Sequence, residues 1–183
     1  MDVTIIKSKR KTISIQVNGD ATVTVRAPRY VSRREIEKFL EEKEAWVIKH
    51  VEKAKQRMEE AESLEPFSDS EIDELSDMAL EIIPERVNFY AGILGVTYGR
   101  ITIRNQKTRW GSCSSKGNLN FNCLLMLTPP EVIDYVVVHE LCHRIEMNHS
   151  KLFWDEVESV LPNYKMYRKW LKDEGNKIML RQK

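Results

Sequence analysis

Cysteine is scarce in this chain of 183 residues, with only Cys113, Cys123 and Cys142. An odd number at irregular spacing builds no disulfide framework, and it suits a reducing compartment better than a secreted setting. Charge of one sign is not in excess either. Lysine and arginine number 29 against 28 aspartates and glutamates, a formal net charge of +1. That balance gives no global attraction to nucleic acid or to an anionic membrane surface, so neither is an expected partner. Long apolar runs are missing; the longest, such as Cys123 to Leu127, are far too short to span a bilayer. Met1 to Thr4 has no basic stretch leading into an apolar core, so no secretory leader is expected. Repeats and low-complexity tracts are absent as well. What remains is a cytoplasmic globular protein, long enough to bury a core without staples.

Histidine is also rare, and its placement is uneven. Three of the four histidines are His139, His143 and His149. His139-Glu140-Leu141-Cys142-His143 has the H-E-x-x-H spacing. A helix turns once per 3.6 residues, so His139 and His143 stack on one face with Glu140 beside them. In zinc hydrolases two histidines so placed hold the metal, and the Glu works on the water it carries. A catalytic zinc site takes three protein ligands and leaves the fourth place to water. His149 is the natural third ligand, just past the expected helix end; Glu156 and Glu158 on the next helix are its rivals. The H-E-x-x-H-x-x-x-x-x-H spacing matches the metzincins, which carry Gly where this chain has Glu146. Asn148, tolerant of a left-handed backbone, is the residue expected to make that turn.

Glu140 is then the general base, taking a proton from the water and returning it to the leaving group. The oxyanion needs a donor or a positive group, and Arg109 and Tyr164 qualify by chemical type. Cys142 reads as a small apolar filler rather than a ligand. His50 lies beside a helical stripe with no second ligand at a useful spacing, and reads as structural. The basic cluster Lys7, Lys9, Arg10 and Lys11 reads as a solvated strand end.

Around these residues the chain reads as α+β. Thr12–Val17 and Thr22–Ala27 alternate apolar and polar residues about the turn Asn18-Gly19-Asp20, a β-hairpin. Ser32 and Glu35 form a capping box for a long helix reaching about Glu62. Leu64 to Ser70 is the linker, dividing the chain into 1–64 (hairpin and long helix) and 71–183 (catalytic core). A helix with Ile72, Leu75, Met78, Ala79 and Ile82 inward follows, kinked or restarted at Pro84 and ended at Gly95. Strands are expected over 100–104 and 118–127, joined by a long loop holding Arg109-Trp110-Gly111-Ser112-Cys113. Thr128 is the expected N-cap of the H-E-x-x-H helix, which should run to about Asn148. Short helices follow from Ser150 and from Tyr164 to about Gly175. The sheet should be small and mostly antiparallel, packed on helices.

Several of these segments resemble the YgjP-like metallopeptidase family. They are Arg109-Trp110-Gly111-Ser112-Cys113-Ser114, Tyr135 through His143, Asn148-His149-Ser150 and Phe153-Trp154. Arg10 to Val17, Val25 to Pro28, Pro162 to Lys165 and Trp170 to Lys172 look like the family's two ends. The resemblance, with its link to SprT-like and WLM zinc peptidases, implies a minimal zincin-like core with three histidine ligands. It leaves the substrate open. A peptide or protein is the first expectation and a nucleoside triphosphate the second, motivated by Lys107, Arg109 and the early basic cluster. A zinc-stabilised DNA- or protein-binding module is the third.

Overall fold

The computed structural model describes residues 3–182, which form two compact units meeting in sequence between Glu65 and Pro66. Each unit has its own sheet.

The first unit opens with β1 (Val3–Ser8), β2 (Ser14–Val17) and β3 (Val23–Pro28), in the order β1-β3-β2. Strands β2 and β3 form the expected antiparallel pair, Ile15 opposite Val25. The sequence reading missed β1, which lies parallel to β3 in the register Val3–Val23 to Ser8–Pro28. Its side chains are mostly exposed, so it has no alternation to announce it. The turn also differs from expectation. Positive φ falls on Ala21 at 61°, and Gly19 is not in that conformation. Side chains close the turn instead: Asn18 Nδ2 donates to Thr22 Oγ1 at 2.8 Å, and the Thr22 hydroxyl donates to Asp20 Oδ1 at 2.7 Å. The Ser32–Glu35 capping box is present. The long helix is broken at Lys43 into α1 (Arg33–Glu42) and α2 (Glu44–Ser63). Val25, Ala27, Val31 and Ile36 make a small core under Ile13, Ile15 and Leu40.

The second unit is built on α3 (Asp69–Leu94), which a second capping box, Ser68 with Glu71, starts. It runs through Pro84 without ending, and Gly95 closes it at φ 66°. Leu75, Ala79, Ile83, Val87 and Ala91 are its buried face; Met78, expected inward, is 46% exposed. Strands β4 (Ile101–Arg104), β5 (Gly111–Cys113) and β6 (Leu119–Asn122) lie in the order β4-β6-β5. β4 is parallel to β6 and β5 antiparallel to it. Each sheet is thus half parallel, where a mostly antiparallel sheet was expected. β5 sits inside the expected loop, too short to show a period.

The expected strand over 118–127 stops at Asn122. Residues Cys123–Leu127 coil into a 3₁₀ turn because Asn122 Oδ1 accepts the Leu124 N–H at 3.2 Å. A short apolar run does not distinguish the two by pattern. Thr128 does not cap the next helix; its hydroxyl donates back to the Leu125 carbonyl at 2.8 Å. Helix α4 (Pro130–Cys142) is buried over most of its surface, with Val136, Val137, Val138 and Leu141 in the core. Then come α5 (Lys151–Val160), α6 (Tyr164–Trp170), a π turn over Leu171–Gly175 and α7 (Asn176–Leu180). The last segment returns to the start of the unit: the Arg181 carbonyl accepts from Phe67 N–H at 3.3 Å, and its guanidinium covers the Phe67 ring at 3.9 Å. No helix among the described residues is long and apolar enough to cross a membrane.

Candidate metal centre

Helix α4 ends earlier than its sequence suggests, at Cys142, and His143 is its C-cap. His139 therefore lies one turn back inside the helix, and His143 at its mouth. The chain then folds into a compact turn. Glu146 N–H donates to the Cys142 carbonyl at 2.9 Å, and Asn148 N–H to Glu146 Oε1 at 3.1 Å. Ser150 caps α5 by accepting the Phe153 N–H at 3.4 Å, which sets His149 beside the mouth of α4. Neither Glu146 nor Asn148 takes a positive φ; among described residues other than glycine, Ala21 alone does. The expected glycine-like turn at Asn148 is therefore absent, and side-chain and backbone hydrogen bonds shape this connection instead.

The result is a convergence of three imidazoles. One ring nitrogen from each of His139, His143 and His149 lies within 4.8 Å of the others. His139 Nε2 and His149 Nε2 are 3.0 Å apart. His143 Nδ1 lies 3.1 Å from the Glu146 carbonyl, which can only accept, so Nδ1 is the donor of that bond and Nε2 is left for the cluster. His139 Nδ1 is buried without a partner, leaving Nε2 as the ring's outlet. The buried Phe153 ring touches all three, with centroids 4.9, 4.6 and 4.7 Å from His139, His143 and His149. Burial, followed by the neighbouring His143 and His149, pushes His139 down to about 3. His149 is lowered by the same burial and by His143 and Arg168. Three imidazole nitrogens converging in this way are the set a divalent cation of borderline softness takes.

Glu140 points toward the sheet. It is 5% exposed and lies against Gly111 of the edge strand β5. Burial pushes its carboxyl up to about 8, against the opposing pull of the Arg109 guanidinium and the Cys113 N–H. A carboxyl raised this far binds a proton readily near neutral pH. Arg109 is thus on the Glu140 side of the site. Asn122 anchors its loop, its Nδ2 donating to the Gln106 and Arg109 carbonyls at 2.6 and 3.0 Å.

Tyr164 is buried and stacks on Trp154 at 5.3 Å between ring centroids, so it borders the site through that indole. Trp154 in turn lies 5.8 Å from His139 and 5.7 Å from His149. Glu156 and Glu158 do not join the histidines among the described residues, and Glu158 pairs with Lys165 at 3.2 Å. Cys142 is buried, with its thiol pushed up to about 12 by desolvation. His50 stacks on Trp46 at 4.0 Å and its Nδ1 lies 2.7 Å from the Trp46 carbonyl, in keeping with a structural histidine. The sequence reading gave no role to Gly111, Asn122 or Arg168. Gly111 stood inside the Arg109–Cys113 motif, and Arg168 lies one helical turn beyond Tyr164, but only the fold brings either to the site.

The YgjP-like metallopeptidase domain model matches residues 11–77 and 72–174. No curated protein matches the chain. Among solved structures, the metallopeptidase zymogen abylysin of Pyrococcus abyssi is 26% identical, covering 51% of this chain and 96% of its own, with a TM-score of 0.46. The metallopeptidase zymogen jannalysin of Methanocaldococcus jannaschii is 22% identical, covering 51% and 97%, also at 0.46. With the family model spanning nearly all of both units, the chain belongs to the YgjP-like metallopeptidase family.

Proposed function

We propose that this chain is a cytoplasmic zinc peptidase in which His139, His143 and His149 hold the metal and Glu140 is the general base. The observation that carries this reading is the join of two features at the C-terminal end of α4. Three imidazole nitrogens converge, and the buried Glu140 follows directly after the first of them. When bound, zinc supplies a Lewis acid for the scissile carbonyl and lowers the pKa of water toward 7. Everything else is the work of this chain's side chains. Glu140 accepts the proton of the attacking water and returns it to the departing amine. Arg109, whose charge acts on Glu140, faces the negative charge that grows on the carbonyl oxygen. Tyr164 holds Trp154 in place behind His139 and His149. The Glu146 carbonyl and the Phe153 ring fix the orientation of His143.

The test compares the zinc-loaded chain with its Glu140→Gln variant on unfolded proteins and peptide libraries. The account expects cleavage by the first, and a loss of about 10²-fold or more in the second with zinc content unchanged. A variant with full activity contradicts the role of Glu140. Phosphate release from nucleoside triphosphates without any peptide cleavage contradicts the substrate class.

A further inference from the structure

Arg168 stands on α6 one turn beyond Tyr164, and both side chains pack on Trp154. The Arg168 guanidinium carbon lies 4.6 Å from the indole centroid. Tyr164 stacks on the same ring with an interplanar angle of 13°. Because Trp154 itself borders His139 and His149, α5 and α6 together fix a positive charge at the rim of the histidine cluster.

Arg168 has no ion-pair or hydrogen-bond partner for its side chain among the described residues. Arg86, by contrast, pairs with Asp134, and Lys165 with Glu158. Its exposed guanidinium therefore rests on an aromatic platform with its N–H donors free. Placing an unpaired cation beside a site built for another cation is unfavourable until an anion arrives. The planar fork of a guanidinium matches a carboxylate in a bidentate geometry, which a lysine would not reproduce.

We propose that Arg168 binds a carboxylate of the peptide substrate and so selects substrates carrying an anionic group next to the histidine cluster. This rests on the peptidase reading above. Two sources offer the same chemistry, the C-terminal carboxylate of a short peptide and an Asp or Glu side chain within a longer one.

Calorimetric titration of the metal-free chain tests this without requiring turnover. One pair of peptides differs only in a free or amidated C-terminus; the other exchanges internal Asp or Glu for Asn or Gln. The wild-type chain is expected to bind the carboxylate member of at least one pair roughly 10- to 100-fold more tightly, the range of a charge-assisted bidentate contact. The pair that shows the preference identifies the source. R168Q should abolish the preference and R168K should keep part of it. Equal binding of both members by wild type overturns the assignment. So does an R168Q variant that keeps the preference or weakens both members alike, which would mark a packing role on Trp154. Peptide cleavage by the zinc-loaded chain is scored separately. A carboxylate preference in binding with no cleavage removes the peptidase reading and keeps the Arg168 contact. Cleavage with no such preference does the reverse.

Discussion

Gly111 lies against the carboxylate of Glu140 so closely that any side chain there would displace it. A Cβ built on Gly111 would sit 2.8 Å from both Cγ and Oε1 of Glu140. The edge strand therefore carries a glycine where the helix presents its one buried carboxylate, and the Cys113 N–H opposes the rise in its proton affinity. Gly111→Ala should shift Glu140 and lower kcat for peptide cleavage about 10- to 100-fold, the scale of a misplaced catalytic group. Zinc stoichiometry should not change. Unchanged kcat would mean that Glu140 keeps its task from another position.

Asn122 is buried and ties three segments together. Its Nδ2 donates to the Gln106 and Arg109 carbonyls, and its Oδ1 accepts from Leu124 N–H. Asn122→Ala leaves those buried groups without partners and should cost about 2–3 kcal/mol. Amide exchange over residues 105–113 should accelerate before any change is seen in α4. Thermal denaturation with exchange mapping checks both.

Ala21 holds φ at 61°, a conformation that disfavours a side chain. Left-handed backbone costs roughly 1–2 kcal/mol for a residue with a Cβ, against about 0.5–1 kcal/mol of extra chain entropy lost by glycine. Ala21→Gly should stabilise the first unit by about 0.5–1 kcal/mol, read as slower amide exchange at Val23 and Val25. Faster exchange would show that the strain is relieved elsewhere.

The thiols should be silent in the folded chain. Desolvation raises Cys113 and Cys123 and pushes Cys142 up to about 12. Only thiolate reacts with an alkylating reagent, so labelling of Cys142 at pH 8 should be at least about a hundredfold slower folded than in denaturant. The sign of the linkage follows. The folded state holds these protons more tightly than the unfolded state, so the stability they contribute is full below the ordinary thiol pKa. It declines as pH rises from about 8.5 toward 12. Denaturation midpoints across that range check it.

Much of this architecture was legible in the residues. The capping box at Ser32, the β2–β3 hairpin and the helix that places His143 one turn after His139 follow from local chemistry that acts over a few positions, whereas the box at Ser68 fell inside the expected linker. The misses share a physical cause, tertiary context overriding local pattern. β1 and β5 are edge strands whose pairing depends on a central partner, and neither shows a buried alternation. The Cys123–Leu127 run coils because one buried Asn122 caps it, which an apolar run does not announce. Thr128 has the chemistry of an N-cap, yet its hydroxyl turns back to Leu125. At the site, the spacing of the histidines was readable along one chain segment. The neighbours of that segment, Gly111 behind Glu140 and Arg168 over Trp154, come from distant segments that only folding brings together.

The central claim is that three histidines form an open metal centre. X-ray absorption on the zinc-loaded chain, with metal counted per chain, tests it most directly. The account predicts one zinc per chain with about three imidazole nitrogens and one light oxygen donor at ~2.0–2.1 Å. A sulfur donor near ~2.3 Å with no exchangeable oxygen would contradict it, because it would mean a closed structural site drawing on a cysteine.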